Sequence, residues 1–137
     1  LFQRKFMEEM FFLLLKGEGQ KADNLLEKYT EELVNHKWDK KMFIKTETLQ
    51  ESLATYTEKV SKKKRSAAAA YELAIKSERE YQPGDQISYY VIGDKSTVRV
   101  FDNCKLASQW DKEKPDENIE YYKKKLQTLY EKFEPFF

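Results

Sequence analysis

The first sixteen residues carry apolar side chains at helical spacing. Phe2, Phe6, Met10 and Leu13 recur every three or four positions on one face, which predicts a helix from Leu1 to Lys16. Phe11, Phe12, Leu14 and Leu15 make its last turns apolar nearly all round. A helix of that kind needs cover on more than one side. Gly17 and Gly19 supply a C-cap. Asp23 then caps a second helix to about His36, with Leu25, Leu26, Tyr29, Leu33 and Val34 as its stripe. The join is short, so the two helices should pack antiparallel.

Met42 to Glu47 is a short extended segment, after which Thr46 or Thr48 starts a brief helix bearing Leu49, Leu53 and Tyr56. Ser61 is an N-cap candidate for a longer helix, about Lys62 to Glu80, in which Ala67 to Ala70 give high intrinsic propensity. Pro83-Gly84 breaks the chain. Gln86 to Ile92 alternates as a strand, Gly93 to Ser96 is turn chemistry, and Thr97 to Phe101 returns as a second strand. This predicts a β-hairpin. Cys104 to Trp110 reads as a short helix. Asp116 caps a last helix whose face is Ile119, Tyr122, Leu126, Leu129 and Phe133. Glu117 and Glu120 at its start suit the helix macrodipole. The pattern as a whole is α+β, mostly helical, with one short β-hairpin.

Composition narrows the classes. A chain of 137 residues has the size of one ordinary domain, and 15% aromatic residues are enough to build a core. Cys104 is the only cysteine and His36 the only histidine, which excludes a disulfide framework, a Cys-based zinc finger and a His-only metal cluster. The longest apolar run, Met10 to Leu15, is too short to span a bilayer, and no signal-peptide pattern opens the chain. These features predict a reduced, intracellular setting with no membrane partner. The chain opens without Met and inside a helix, as a piece of a longer protein would.

The net charge of +1 hides an asymmetry. Lys37 to Arg65 holds nine basic residues against four acidic ones, an excess of five. Within it, Lys62, Lys63, Lys64 and Arg65 stand where a helix N-terminus is expected. Such an end carries partial positive charge, so each cation there would cost roughly 0.3–1 kcal/mol at low salt. A phosphate bound at the helix start, with Ser61 adding a hydroxyl, would offset that cost. Lys40, Lys41 and Lys45 form a second basic group nearby. Charge alone favours an ordinary solvated turn, since screened surface lysines cost little and runs of four are common on surfaces.

No complete active site is encoded. The four glycines form no phosphate loop, and no zinc-protease, nucleophile-elbow or EF-hand pattern occurs. Asp85, Asp94 and Asp102 flank the hairpin, where turn service is the ordinary role of Asp. Tyr89 and Tyr90 could stack on bases, but alternation would leave only one of them outward, and packing into the core is the stronger expectation. Trp38 and Trp110 are core or interface anchors, and Cys104 a small, partly buried residue.

The segment Tyr81-Gln82-Pro83-Gly84-Asp85-Gln86-Ile87-Ser88-Tyr89-Tyr90-Val91 resembles the C-terminal region of family B DNA polymerases, where a proline-glycine pair leads into an I-S-Y-type strand. The surrounding order is similar as well. A helix like Leu1 to Lys16 closes the palm, a helical element like Ala22 to His36 follows, and a strand like Met42 to Thr46 leads into the thumb. Ser61 to Ile75 takes the place of the thumb helix that opens with polar and basic residues, here more basic than is usual. Pro115 to Tyr122 resembles the family's aspartate-x-x-tyrosine-tyrosine helix start.

The resemblance implies a C-terminal palm segment over residues 1–44 and a thumb domain over 45–137. It implies a grip on primer–template duplex DNA, tolerant of sequence, through Lys62, Lys63, Lys64 and Arg65, with Ser61 and Lys45 as weaker contacts. The rest of the polymerase chain would be a further partner. The palm motifs D-x-x-S-L-Y-P and Y-x-D-T-D-S, which carry the metal-binding aspartates, are absent. The chain should therefore need no cofactor and be inactive alone, while its parent, a nucleotidyltransferase, would use Mg2+. The competing reading is a helical protein–protein interaction module that binds no nucleic acid.

Overall fold

A computed structural model describes all residues, 1–137. It has six α-helices and three short strands, in an α+β arrangement. In chain order these are α1 (Phe2–Leu15), α2 (Ala22–Val34), α3 (Lys40–Phe43), β1 (Lys45–Thr48), α4 (Leu53–Ser61), α5 (Ala69–Lys76), β2 (Gln86–Val91), β3 (Cys104–Leu106) and α6 (Ile119–Phe133). None of the helices is long and apolar enough to cross a membrane. The chain forms two compact units, residues 1–43 with 94–97 and 118–137, and residues 44–93 with 98–117.

The first unit is helical. Phe2, Phe6 and Met10 of α1 are buried at spacings of four, as their periodicity requires. They meet Tyr29 and Leu33 of α2 and Tyr122, Leu126 and Leu129 of α6 in one core. The Phe6 and Tyr29 rings lie edge to face at 5.1 Å, and Phe2 packs on Trp38 at 5.0 Å. Burying each such side chain contributes about 1.5–3 kcal/mol. The Tyr122 hydroxyl donates to the Phe43 carbonyl at 3.1 Å, fixing the end of α3. Phe11 and Phe12, by contrast, are more than half exposed and Leu15 is 85% exposed, so the apolar end of α1 keeps only one covered side.

The last helix starts later than its sequence indicates. Asn118, not Asp116, is its N-cap: the Asn118 amide oxygen accepts from the Tyr121 N–H at 3.0 Å and its amide nitrogen donates to the Lys95 carbonyl at 2.9 Å. Asp116 instead accepts from the Tyr90 hydroxyl and the Lys105 ammonium, each at 2.6 Å. Burial works to raise its pKa, but the hydrogen bonds from Lys105 and Tyr90 outweigh it and hold the carboxyl below its usual range.

The second unit is a three-stranded antiparallel sheet with helices packed on it. β2 is central, with Lys45 opposite Tyr89 on one side and Leu106 opposite Tyr89 on the other. The expected strand Gln86 to Ile92 is present, but its hairpin partner is Cys104–Leu106 rather than Thr97–Phe101. Residues 100–102 turn as a 3-10 helix, and a further 3-10 turn at 107–109 is all the helix in the Cys104 to Trp110 segment. Ile87 and Tyr89 join Leu49, Tyr56 and the buried residues of α5 in the core of this unit. Tyr89 and Tyr90 are both buried, and their hydroxyls donate to Glu47 and Asp116. Neither ring is left outward for base stacking.

Candidate nucleic-acid interface

Residues 61–65 do not begin a helix. Ser61 is the last residue of α4 and Lys62 its C-cap, while α5 starts only at Ala69. The true cap at the start of α4 is Ser52, whose hydroxyl accepts from the Thr55 N–H at 3.1 Å. At the other end, the Lys63 N–H bonds the Val60 carbonyl at 3.0 Å and the Lys64 N–H bonds the Lys59 carbonyl at 2.8 Å. Lys63 is left-handed, with φ 57°. This is a Schellman motif built on lysine where glycine is usual.

The correction inverts the electrostatics. Cations at a helix C-terminus complement its partial negative charge, each by about 0.3–1 kcal/mol at low salt. The basic run therefore agrees with its helix, and the cost that pointed to a bound phosphate is absent. The Ser61 hydroxyl donates to the Glu58 carbonyl at 2.8 Å and caps nothing.

The six residues expected to touch DNA divide sharply. Lys63 and Lys64 are exposed and form no ion pair. Lys62 is exposed but bonds Glu58 one turn back at 2.6 Å. Lys45, the first residue of β1, pairs with Glu47 at 3.1 Å and is not linked to residues 61–65 by any hydrogen bond or ion pair. Of the second basic group, Lys40 and Lys41 belong to the first unit and Lys45 to the other.

Arg65 is the most engaged. Its guanidinium lies 4.9 Å from the Tyr56 ring centre and 4.8 Å from that of Tyr71, and Nη1 meets Glu51 Oε1 at 2.5 Å. The other oxygen of Glu51 takes the Lys59 ammonium at 2.7 Å. Hydrogen bonds from Lys59 and Arg65 hold the Glu51 carboxyl below its usual range. Tyr71 in turn accepts from the Gln50 N–H at 2.8 Å, and Tyr56 accepts from the Ala68 N–H at 3.0 Å. Glu51, Tyr56 and Tyr71 thus form a clasp around the turn. No spacing rule joins Glu51 to a residue fourteen positions later, so the pairing has no signal in the chain itself.

The geometry presents a short cationic turn, projecting two unpaired lysines, rooted in a hydrogen-bonded polar cluster. Such a turn offers point charges to an extended anion. No group of three or more His, Cys, Asp or Glu side chains is placed to hold a metal ion. No family model matches the chain, and no curated protein does either. Among solved structures, the chain superposes on the family B DNA polymerase from the hyperthermophilic archaeon Pyrobaculum calidifontis with a TM-score of 0.73. The fold is similar to part of that polymerase. Identity is 17%, over 94% of this chain and 17% of that one, so the chain spans under a fifth of the polymerase it resembles.

Proposed function

We propose that this chain is the closing part of a family B DNA polymerase, with residues 1–44 as the end of the palm and 45–137 as a thumb that grips primer–template duplex. The observation that carries this reading is the fold similarity over 94% of the chain to a family B polymerase. The exposed turn supports it: Lys63 and Lys64 are available to backbone phosphates, and Lys62 exchanges Glu58 for a phosphate oxygen. Ser61 and Lys45 are secondary contacts, and Arg65 acts from behind the turn. Contacts of this kind read the backbone and not the bases, so binding is sequence-tolerant.

On this reading the partners are duplex DNA and the remaining polymerase chain, inside the cell. On this reading the Mg2+ of the parent belongs with the palm aspartate motifs that this sequence lacks. The chain by itself transfers no nucleotide. The interaction-module reading gains nothing from the fold similarity.

The test is an anisotropy titration of the 137-residue chain against labelled duplexes of unrelated sequence at low and moderate salt. Binding should be similar for each sequence and fall steeply as salt rises. Absence of duplex binding at low salt would overturn the reading.

A further inference from the structure

The geometry points to Glu51 as the positioning residue of the basic turn: with Arg65 it holds Lys62, Lys63 and Lys64 in a preformed loop for an extended polyanion. This inference rests on the duplex-binding reading proposed above. It concerns a residue of the wrong charge to touch DNA itself.

One carboxylate fastens both sides of the turn. Glu51 Oε2 holds Lys59, in the last full turn of α4, at 2.7 Å, and Oε1 holds Arg65, just beyond the lysines, at 2.5 Å. The Arg65 guanidinium also lies 4.9 and 4.8 Å from the Tyr56 and Tyr71 ring centres. A third tie follows at Ala68, whose N–H donates to the Tyr56 hydroxyl. Glu51 is itself located by its own N–H, which reaches the Tyr71 hydroxyl at 3.3 Å. Between these ties none of the three lysines pairs with the clasp; only Lys62 forms an ion pair, with Glu58. The arrangement separates two jobs. Arg65 is spent on a position between a carboxylate and two aromatic rings for which lysine is a poor substitute, and the lysines remain as flexible point charges. Ordering a loop in advance raises affinity because binding no longer bears that entropic cost.

Glu51→Gln and Arg65→Lys test this with opposite electrostatic expectations. Glu51→Gln removes a negative charge and frees two cations, so charge alone predicts tighter binding to duplex. Arg65→Lys leaves the charge unchanged, so charge alone predicts no effect. A positioning role predicts that both weaken duplex binding about three- to tenfold, in variants whose far-ultraviolet circular dichroism is that of the wild type. It also predicts that amide hydrogen exchange over residues 62–68, measured without DNA, rises about tenfold while rates in α6 stay constant. Tighter binding by Glu51→Gln, unchanged binding by Arg65→Lys, or unchanged exchange in the turn would each overturn the inference while leaving duplex binding by the wild type intact. A wild-type chain with no duplex affinity overturns the underlying reading, and the positioning role with it.

Discussion

Tyr56 and Tyr71 stack with ring centres 4.5 Å apart and planes 10° from parallel. Their rings join α4 to α5, and their hydroxyls point to different backbone segments, Tyr56 to Ala68 and Tyr71 to Gln50. The Arg65 guanidinium lies 4.9 and 4.8 Å from the two ring centres. Tyr71→Phe keeps the stack but strips the acceptor from the Gln50 N–H. The expected loss is about 1–2 kcal/mol, read as a lower urea midpoint with an unchanged slope.

Lys63 has a left-handed backbone, which an L side chain adopts at a cost of about 1–2 kcal/mol. Lys63→Gly should therefore stabilise the chain by about 1 kcal/mol, while removing a cation from the turn. His36, also left-handed, ends α2 in the same motif, its N–H bonding the Leu33 carbonyl at 3.1 Å. His36→Gly should raise the urea midpoint similarly. A fall in midpoint for either variant would contradict the backbone assignment.

Asn118 is fully buried and uses both ends of its amide. Asn118→Ala loses the cap of α6 and leaves the Lys95 carbonyl without its donor. The expected cost is about 2 kcal/mol. Asp116→Asn, at the position the sequence marks as the cap, should leave the helical circular dichroism signal unchanged.

Glu51 also sets an acid limit. Its pKa in the folded chain lies below the ordinary value of 4.5, so its ion pairs stabilise the fold fully above that value. The contribution is lost as pH falls below 4.5 and through the folded pKa. The stability gap between wild type and Glu51→Gln should be constant near neutrality and close on acidification. A gap that widens in acid would contradict the ion-pair assignment.

The long helices were legible because packing follows their period. Phe2, Phe6 and Met10 in α1, and Tyr122, Leu126, Leu129 and Phe133 in α6, are buried as their spacing predicts. The region between α4 and α5 was not. A helix stop at Lys62-Lys63 carries no glycine, and Ser61 has the character of a start signal, so the local pattern points to a helix start where α4 ends. The alanine run pulled the expected helix forward, yet Ala67 and Ala68 remain extended or irregular and α5 begins at Ala69. β3 spans three residues, too few for alternation to show. The lysines of the turn were visible as a charge run. The clasp beneath them depends on contacts between positions 51, 56, 65 and 71, which only the fold brings together.

The most direct measurement is the salt dependence of duplex binding for the wild type and for Lys62→Gln, Lys63→Gln and Lys64→Gln combined. Each lysine that neutralises a phosphate adds about 0.9 to the slope of log K against log salt. The variant should bind more weakly, with a slope shallower by about 2–3. An identical slope and affinity would show that the turn does not touch the duplex.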